Sequence, residues 1–202
     1  MSEWLHHPDR LRWNEKFLRR GMNAFGQEPA AWLVEHEDLL RRQPGGLVLD
    51  LACGAGRNAF YLAQLGFTVE AVDLSDVALA WLAEQARQRG ARILPVVMNL
   101  AEAALPSARY QVIINFNYLE RRLHHQIKQA LQPGGLLLFE TMTTDQLALA
   151  GGKFNPEFLL QPNELLHAFS DLRILHYREA VIRGCADCRE KAVASLVARK
   201  HE

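Results

Sequence analysis

Apolar positions along this chain alternate between two spacings. Residues 47–51, 68–72, 93–97, 112–114 and 136–139 are short, nearly unbroken apolar runs, the pattern of strands covered by helices on both faces of a sheet. Between them the spacing becomes helical. Ala59, Leu62 and Ala63 share a face and Gly66 closes that helix. Leu79, Leu82, Ala83 and Ala86 fall at i, i+3, i+4 and i+7, with Ser75 placed as an N-cap and Gly90 as a terminator. Leu119, Leu123, Ile127 and Leu131 recur every four residues until Pro133-Gly134-Gly135 breaks the helix.

This order predicts an α/β fold: a doubly wound, Rossmann-like, mostly parallel sheet with right-handed crossovers. The first 45 residues read as amphipathic helices, with Pro29 near the start of the second. After Glu140 a loop containing Gly151-Gly152 leads to a short helix over 163–169. Runs at 172–182 and 192–198, separated by a turn at 184–189, predict a C-terminal antiparallel hairpin that brings the sheet to seven strands. No internal repeat or linker divides the chain. Residues 1–202 therefore read as one domain, with 1–45 forming part of a lid and 46–202 the sheet core.

Composition narrows the function classes. Lys plus Arg equals Asp plus Glu at 23 each, so the chain lacks the positive field that usually accompanies nucleic-acid binding. No apolar stretch approaches the roughly 18 residues of a membrane span, and no basic segment leads into an apolar run at the N-terminus. Three cysteines, Cys53, Cys185 and Cys188, make no disulfide framework, which suits a reducing cytoplasm. Cys185-x-x-Cys188 sits in the expected hairpin turn without the further ligands a structural zinc needs, so no metal is expected.

The chemistry concentrates where the first apolar run meets Ala52-Cys53-Gly54-Ala55-Gly56-Arg57-Asn58. Glycines allow a sharp bend and close approach of a ligand, and ligands of open α/β sheets bind beyond the carboxyl ends of the strands. Gly54 to Ala59 also satisfies G-x-G-x-x-A, so a dinucleotide site is a rival. Asp50, at the end of the first strand, argues against it. Its carboxylate repels a pyrophosphate and attracts a ligand carrying an ammonium and a sulfonium. Asp73 ends the second strand and suits ribose hydroxyls, and Asn99 follows the third and suits an adenine edge.

On these residues the chain resembles the class I S-adenosylmethionine-dependent methyltransferases. Residues 49–58 are similar to the family's first motif, 71–75 to its ribose-binding strand end, and 131–141 to its fifth strand and preceding turn. Residues 13–17 and 155–166 are similar to the tellurite-resistance-type branch. The resemblance implies S-adenosylmethionine as cofactor and in-line transfer to a small-molecule acceptor, such as a tellurium or selenium oxyanion or a thiol. The alternatives are a non-catalytic S-adenosylmethionine-binding protein and a heteroatom methyltransferase unrelated to tellurite. By position, Asp50 would face the ligand's amino group, Ala52, Gly54, Gly56 and Asn58 would form the loop, and Asp73 would hold the ribose. Leu74, Asn99 and Leu100 would surround the adenine. Asn115 and Phe116 would line the methionine end, with Trp13 over the ligand. Ala52 stands where many members have glycine, and Asn99 replaces the more usual aspartate. On the acceptor side, Tyr118, Arg121 and His124 are the catalytic candidates: a pocket wall, an oxyanion clamp and a base.

Overall fold

The computed structural model describes residues 6–22, 26–152, 154–183 and 190–202. Three helices come first, α1 (Pro8–Arg20), α2 (Ala31–Glu35) and α3 (Glu37–Arg41). They are followed by β1 (Leu47–Leu51), α4 (Arg57–Gln64), β2 (Thr68–Asp73), α5 (Asp76–Arg89) and β3 (Ile93–Val97). The chain continues through β4 (Tyr110–Phe116), α6 (Leu123–Ala130), β5 (Leu131–Met142) and α7 (Gln146–Leu149). A 3₁₀ turn (Pro156–Phe158), α8 (Glu164–Ala168), β6 (Arg173–Arg183) and β7 (Glu190–Arg199) complete it.

One seven-stranded sheet has the order β3-β2-β1-β4-β5-β7-β6. The pairs among β1 to β5 are parallel, whereas β7 lies antiparallel between β5 and β6. This is the doubly wound, mostly parallel sheet with a C-terminal antiparallel hairpin that the alternating pattern predicts. The turn expected at 184–189, with Cys185 and Cys188, lies outside the described residues. No described helix is long and apolar enough to cross a membrane.

Each sheet face buries its own apolar layer. Val48, Ile114, Leu138 and Val197 pack with Leu62, Leu82, Trp32 and Leu33 on one side. Leu49, Ile113, Leu137 and Leu196 pack with Ile127, Leu165 and Phe169 on the other. Buried strands are apolar at consecutive positions for this reason, since successive side chains serve opposite layers.

Local signals fix the ends of the elements. Ser75 caps α5 by accepting the Ala78 amide at 3.1 Å, and Gly90 closes the helix with φ of +61°. Two boundaries differ from the periodicity. Leu131 belongs to β5 because it pairs with Tyr110; the ladder resumes at Val112 with Leu136, so Gln132 to Gly135 bulge out. Leu119 to Arg122 form a turn before α6 rather than its first turn, because Asn115 and Asn117 tie that stretch to the strand ends. The second N-terminal helix is broken at His36, whose φ of −113° interrupts the helical path.

Candidate active site

The parallel strands deliver their carboxyl ends to one edge, where β1 leads into the bend at 52–56 and β2 ends in Asp73. Ala52 sits at φ +52° and Gly54 at φ +56°. Ala52 thus occupies a left-handed position, which explains why glycine suits it in similar sequences. Gly54 donates its amide to Asp73 Oδ2 at 2.8 Å, and Ser75 donates its amide to Oδ1 at 2.8 Å. One carboxylate thereby pins both the bend and the start of α5. Burial pushes the Asp73 acid above the ordinary carboxylate range, against the pull of the Ser75, Gly54 and Leu74 amides.

Asp50 shares the face of Val48 and is 1% exposed. The Ala59 amide reaches its carboxyl, but its Oδ2 is buried without a hydrogen-bond partner. Its pKa is pushed up to about 8, first by burial and then by the Asp73 charge, against the attraction of Arg57. Cys53 is raised too, by burial and then by Asp50 and Asp73, so it stays a thiol at neutral pH and is no nucleophile.

The N-terminal helix completes the crevice. A Cβ on Gly54 would lie 3.2 Å from Phe17 Cζ, so α1 rests directly on the bend. Asn14 donates to Asp76 Oδ1 at 2.7 Å and accepts from Ser75 Oγ at 2.7 Å, while Arg10 pairs with Asp76 at 2.6 Å. Trp13 lies 6.4 Å from Phe17, ring to ring, with Lys16 over its face at 4.1 Å. Phe17, Arg10 and Asp76 lie at the candidate crevice, and sequence reasoning missed them. The signal was present: Arg10, Asn14 and Phe17 stand at i, i+4 and i+7, one stripe of a helix.

The remaining candidates divide. Leu74 is half-buried after β2, Phe116 is buried at the end of β4, and Leu100 is buried after β3. Asn99 accepts the Ala101 amide at 3.2 Å, which leaves its amide nitrogen outside that turn. Tyr118 is half-buried, and Glu120, Asp73 and Asp9 join burial in raising its phenol, so it remains protonated.

Five residues are engaged elsewhere. Asn58 accepts the Ala30 amide at 2.9 Å and so tethers α2 to α4. Asn115 faces the opposite side of the sheet from Asp50 and donates to Tyr118 O at 2.7 Å. Gly56 serves helix packing, since a Cβ there would lie 2.4 Å from Leu82 Cδ1. Arg121 pairs with both oxygens of Glu164 and donates to the Glu157 and Leu159 carbonyls, so it clamps a surface loop. His124 lies between Phe139 and Phe169, at 5.9 and 5.2 Å, on the face opposite Asp50. Burial lowers its pKa, and its Nε2 is buried without a partner.

These residues fit S-adenosylmethionine. Asp50 Oδ2 lacks a donor that an ammonium would supply, and the bend presents backbone where a Cβ would obstruct. Comparison with known proteins agrees: residues 48–135 match the methyltransferase-domain family. Within that class the chain resembles S-adenosylmethionine-dependent methyltransferases of the tellurite-resistance type. It is 29% identical over 140 residues to the probable S-adenosyl-L-methionine-dependent methyltransferase TehB of Haemophilus influenzae, covering 65% of this chain and 48% of that protein. The ubiquinone biosynthesis O-methyltransferase of Caulobacter sp. is 32% identical over 148 residues, 68% of this chain and 58% of that one. The chain thus spans between about half and three-fifths of these relatives. The crystal structure of TehB from Haemophilus influenzae shares the fold, with a TM-score of 0.74 at 23% identity over 93% of this chain and 67% of that one. A structure described under conversion of a disulfide bond into a thioacetal group during echinomycin biosynthesis gives 0.72 at 20% identity, covering 96% and 92%.

Proposed function

We propose that this chain transfers the methyl group of S-adenosylmethionine to a small-molecule acceptor. Asp50 carries the reading. A buried carboxyl with an unmatched oxygen, beside a glycine bend at the carboxyl edge of a parallel sheet, suits an ammonium, which pairs with its ionised form, and not a pyrophosphate, which that form repels. Bound S-adenosylmethionine supplies a methyl already activated on a sulfonium. The protein holds and orients: Asp50 takes the amine, the Ala52 and Gly54 backbone lines the bend, and Asp73 accepts the ribose hydroxyls. Leu74, Asn99 and Leu100 bracket the adenine, and Phe116 closes the methionine end. Trp13 and the rest of α1 exclude water as a lid. Alignment of this kind is worth up to roughly 7–11 kcal/mol.

On the acceptor side the charges near Tyr118 are carboxylates, Glu120, Asp73 and Asp9, while Arg121 is committed to Glu164. That environment favours a thiol, with the Tyr118 phenol donating a hydrogen bond, over a tellurium or selenium oxyanion. The oxyanion is the second reading, favoured by the similarity to TehB. A small molecule, rather than nucleic acid, suits the zero net charge, and a cytoplasmic setting suits a chain with three cysteines.

Release of S-adenosylhomocysteine, followed across thiols, tellurite, selenite and phenols, tests the proposal. Turnover with thiols above the other acceptors is expected. Cofactor binding without turnover on any acceptor would make the chain a binding protein instead.

A further inference from the structure

Residues 155–164 run past the carboxyl end of β5 and are moored there by their own backbone. Leu160 bridges to Thr143, donating its amide to Met142 O at 2.9 Å and accepting the Thr144 amide at 3.0 Å. Leu159 and Leu160 are fully buried, whereas Glu157 and Phe158 are exposed. Asn155 accepts the Glu157 amide at 3.1 Å, and the Asn163 amide donates to Glu179 Oε1 on β6 at 2.6 Å.

Arg121 fastens this segment to the turn that carries Tyr118. Its Nε and Nη2 donate to the two oxygens of Glu164 at 2.7 and 3.0 Å. Its Nη1 and Nη2 donate to the Glu157 and Leu159 carbonyls at 2.7 and 2.9 Å. Glu164 Oε2 also accepts the Gln161 amide at 2.8 Å. The turn itself is tied to the ends of β4 and β5, because Asn115 donates to Tyr118 O at 2.7 Å and the Asn117 amide to Glu140 O at 2.9 Å. Tyr118 is half-buried, and its phenol lies within the fields of Asp73 and Asp9, on the side of the crevice.

Stability is a poor reason for such a cluster. Arg121 is 44% exposed, and exposed ion pairs contribute little to folding. A guanidinium spread over one carboxylate and two carbonyls supplies geometry instead, since its donors leave in fixed directions. A lysine ammonium has no such fork.

We propose that the Arg121–Glu164 clamp positions Tyr118 for the acceptor, joining the β4–α6 turn and residues 155–164 into one wall of the acceptor pocket. The inference rests on the transfer reading above, and it makes Arg121 a positioning residue and not an oxyanion ligand. Transfer tolerates little misplacement of the reacting groups, so a loosened wall lowers acceptor use. Asp50, Asp73 and the bend take no part in the clamp, so cofactor affinity is spared.

Arg121→Lys keeps the charge and removes the fork. Glu164→Gln keeps an oxygen for the Gln161 amide and removes the ion pair. With the thiol that wild type turns over best, each should lower kcat/KM about tenfold. S-adenosylhomocysteine affinity by calorimetry should stay within about twofold, and the urea midpoint should hold. A glutamate-specific protease should cut after Glu157 several-fold faster in both variants. Tyr118→Phe should lower kcat/KM as well, and in that background Arg121→Lys should cost about twofold or less, the mark of two residues acting through one contact. Losses that multiply in the double variant overturn the link to Tyr118. Unchanged kcat/KM in Arg121→Lys, or a matching loss of cofactor affinity and urea midpoint, overturns the positioning role and leaves the transfer reading standing. Should Arg121→Lys fail to fold, Glu164→Gln carries the same comparison, and failure of both to fold makes the clamp a structural tie and overturns the proposal. Wild type that binds S-adenosylhomocysteine yet turns over no acceptor brings down the transfer reading and this inference together.

Discussion

Ala52, Gly56 and Asp73 divide the work of the bend among three different physical demands. Ala52 bears a left-handed conformation, at φ +52°, that costs an L-residue about 1–2 kcal/mol. Ala52→Gly should therefore leave stability unchanged or raised by up to about 1 kcal/mol, because relieved strain outweighs the extra unfolded-state entropy. Urea denaturation checks this, and a clear loss would show that the alanine methyl packs usefully. Gly56 faces the opposite limit. Its φ is +80° and a Cβ would meet Leu82 at 2.4 Å, so Gly56→Ala should cost about 1–3 kcal/mol in the same measurement. Asp73 joins two elements through the Gly54 and Ser75 amides. Asp73→Ala is expected to weaken S-adenosylhomocysteine binding by more than tenfold, or about 1.4 kcal/mol by calorimetry. A smaller loss would remove Asp73 from the ribose site.

At the scale of elements, α1 docks on the crevice through contacts distant in sequence. The Arg10–Asp76 pair and the Asn14 hydrogen bonds hold it to the start of α5. Asp76→Ala removes the acceptor common to Arg10 and Asn14, together with a first-turn carboxylate worth about 0.3–1 kcal/mol to α5. Proteolysis between α1 and α2 should accelerate several-fold while the global unfolding free energy falls by about 1 kcal/mol or less. Equal losses in both would mean that α1 unfolds with the core. By contrast, α2 is built into the sheet: Trp32 Nε1 donates to Leu196 O at 3.3 Å, and Arg178 lies over the indole at 4.3 Å while pairing with Glu35 and Glu140. The two N-terminal helices adjacent in sequence therefore differ in purpose.

For the molecule as a whole, pH couples the site to stability. Asp50 is raised to about 8, chiefly by burial, and burial raises Asp73 and Glu140 as well. An acid whose folded pKa lies above its unfolded value contributes stability that is full below the unfolded value and is lost as pH rises through the folded one. The ligand-free protein should accordingly lose thermal stability progressively between about pH 5 and 8. Asp50→Asn should flatten that slope, and melting curves across the range would show it. A melting temperature that climbs over the same interval contradicts the buried acid.

The order of strands and helices, the bend and the carboxylates at its edges were legible in the sequence because each is written locally. Apolar spacing follows which faces are covered, glycine marks a backbone that must turn, and Asp50 and Asp73 stand near or at the ends of their strands by position alone. Direction and partnership were not. Asn58, Asn115 and Arg121 have side chains suited to a ligand, yet their partners Ala30, Tyr118 and Glu164 are brought to them only by the folded chain. Tertiary packing likewise decided that Phe17 meets Gly54 and that His124 falls on the far side of the sheet. Spacing along a chain specifies which face a residue occupies, whereas contacts distant in sequence specify what stands opposite it.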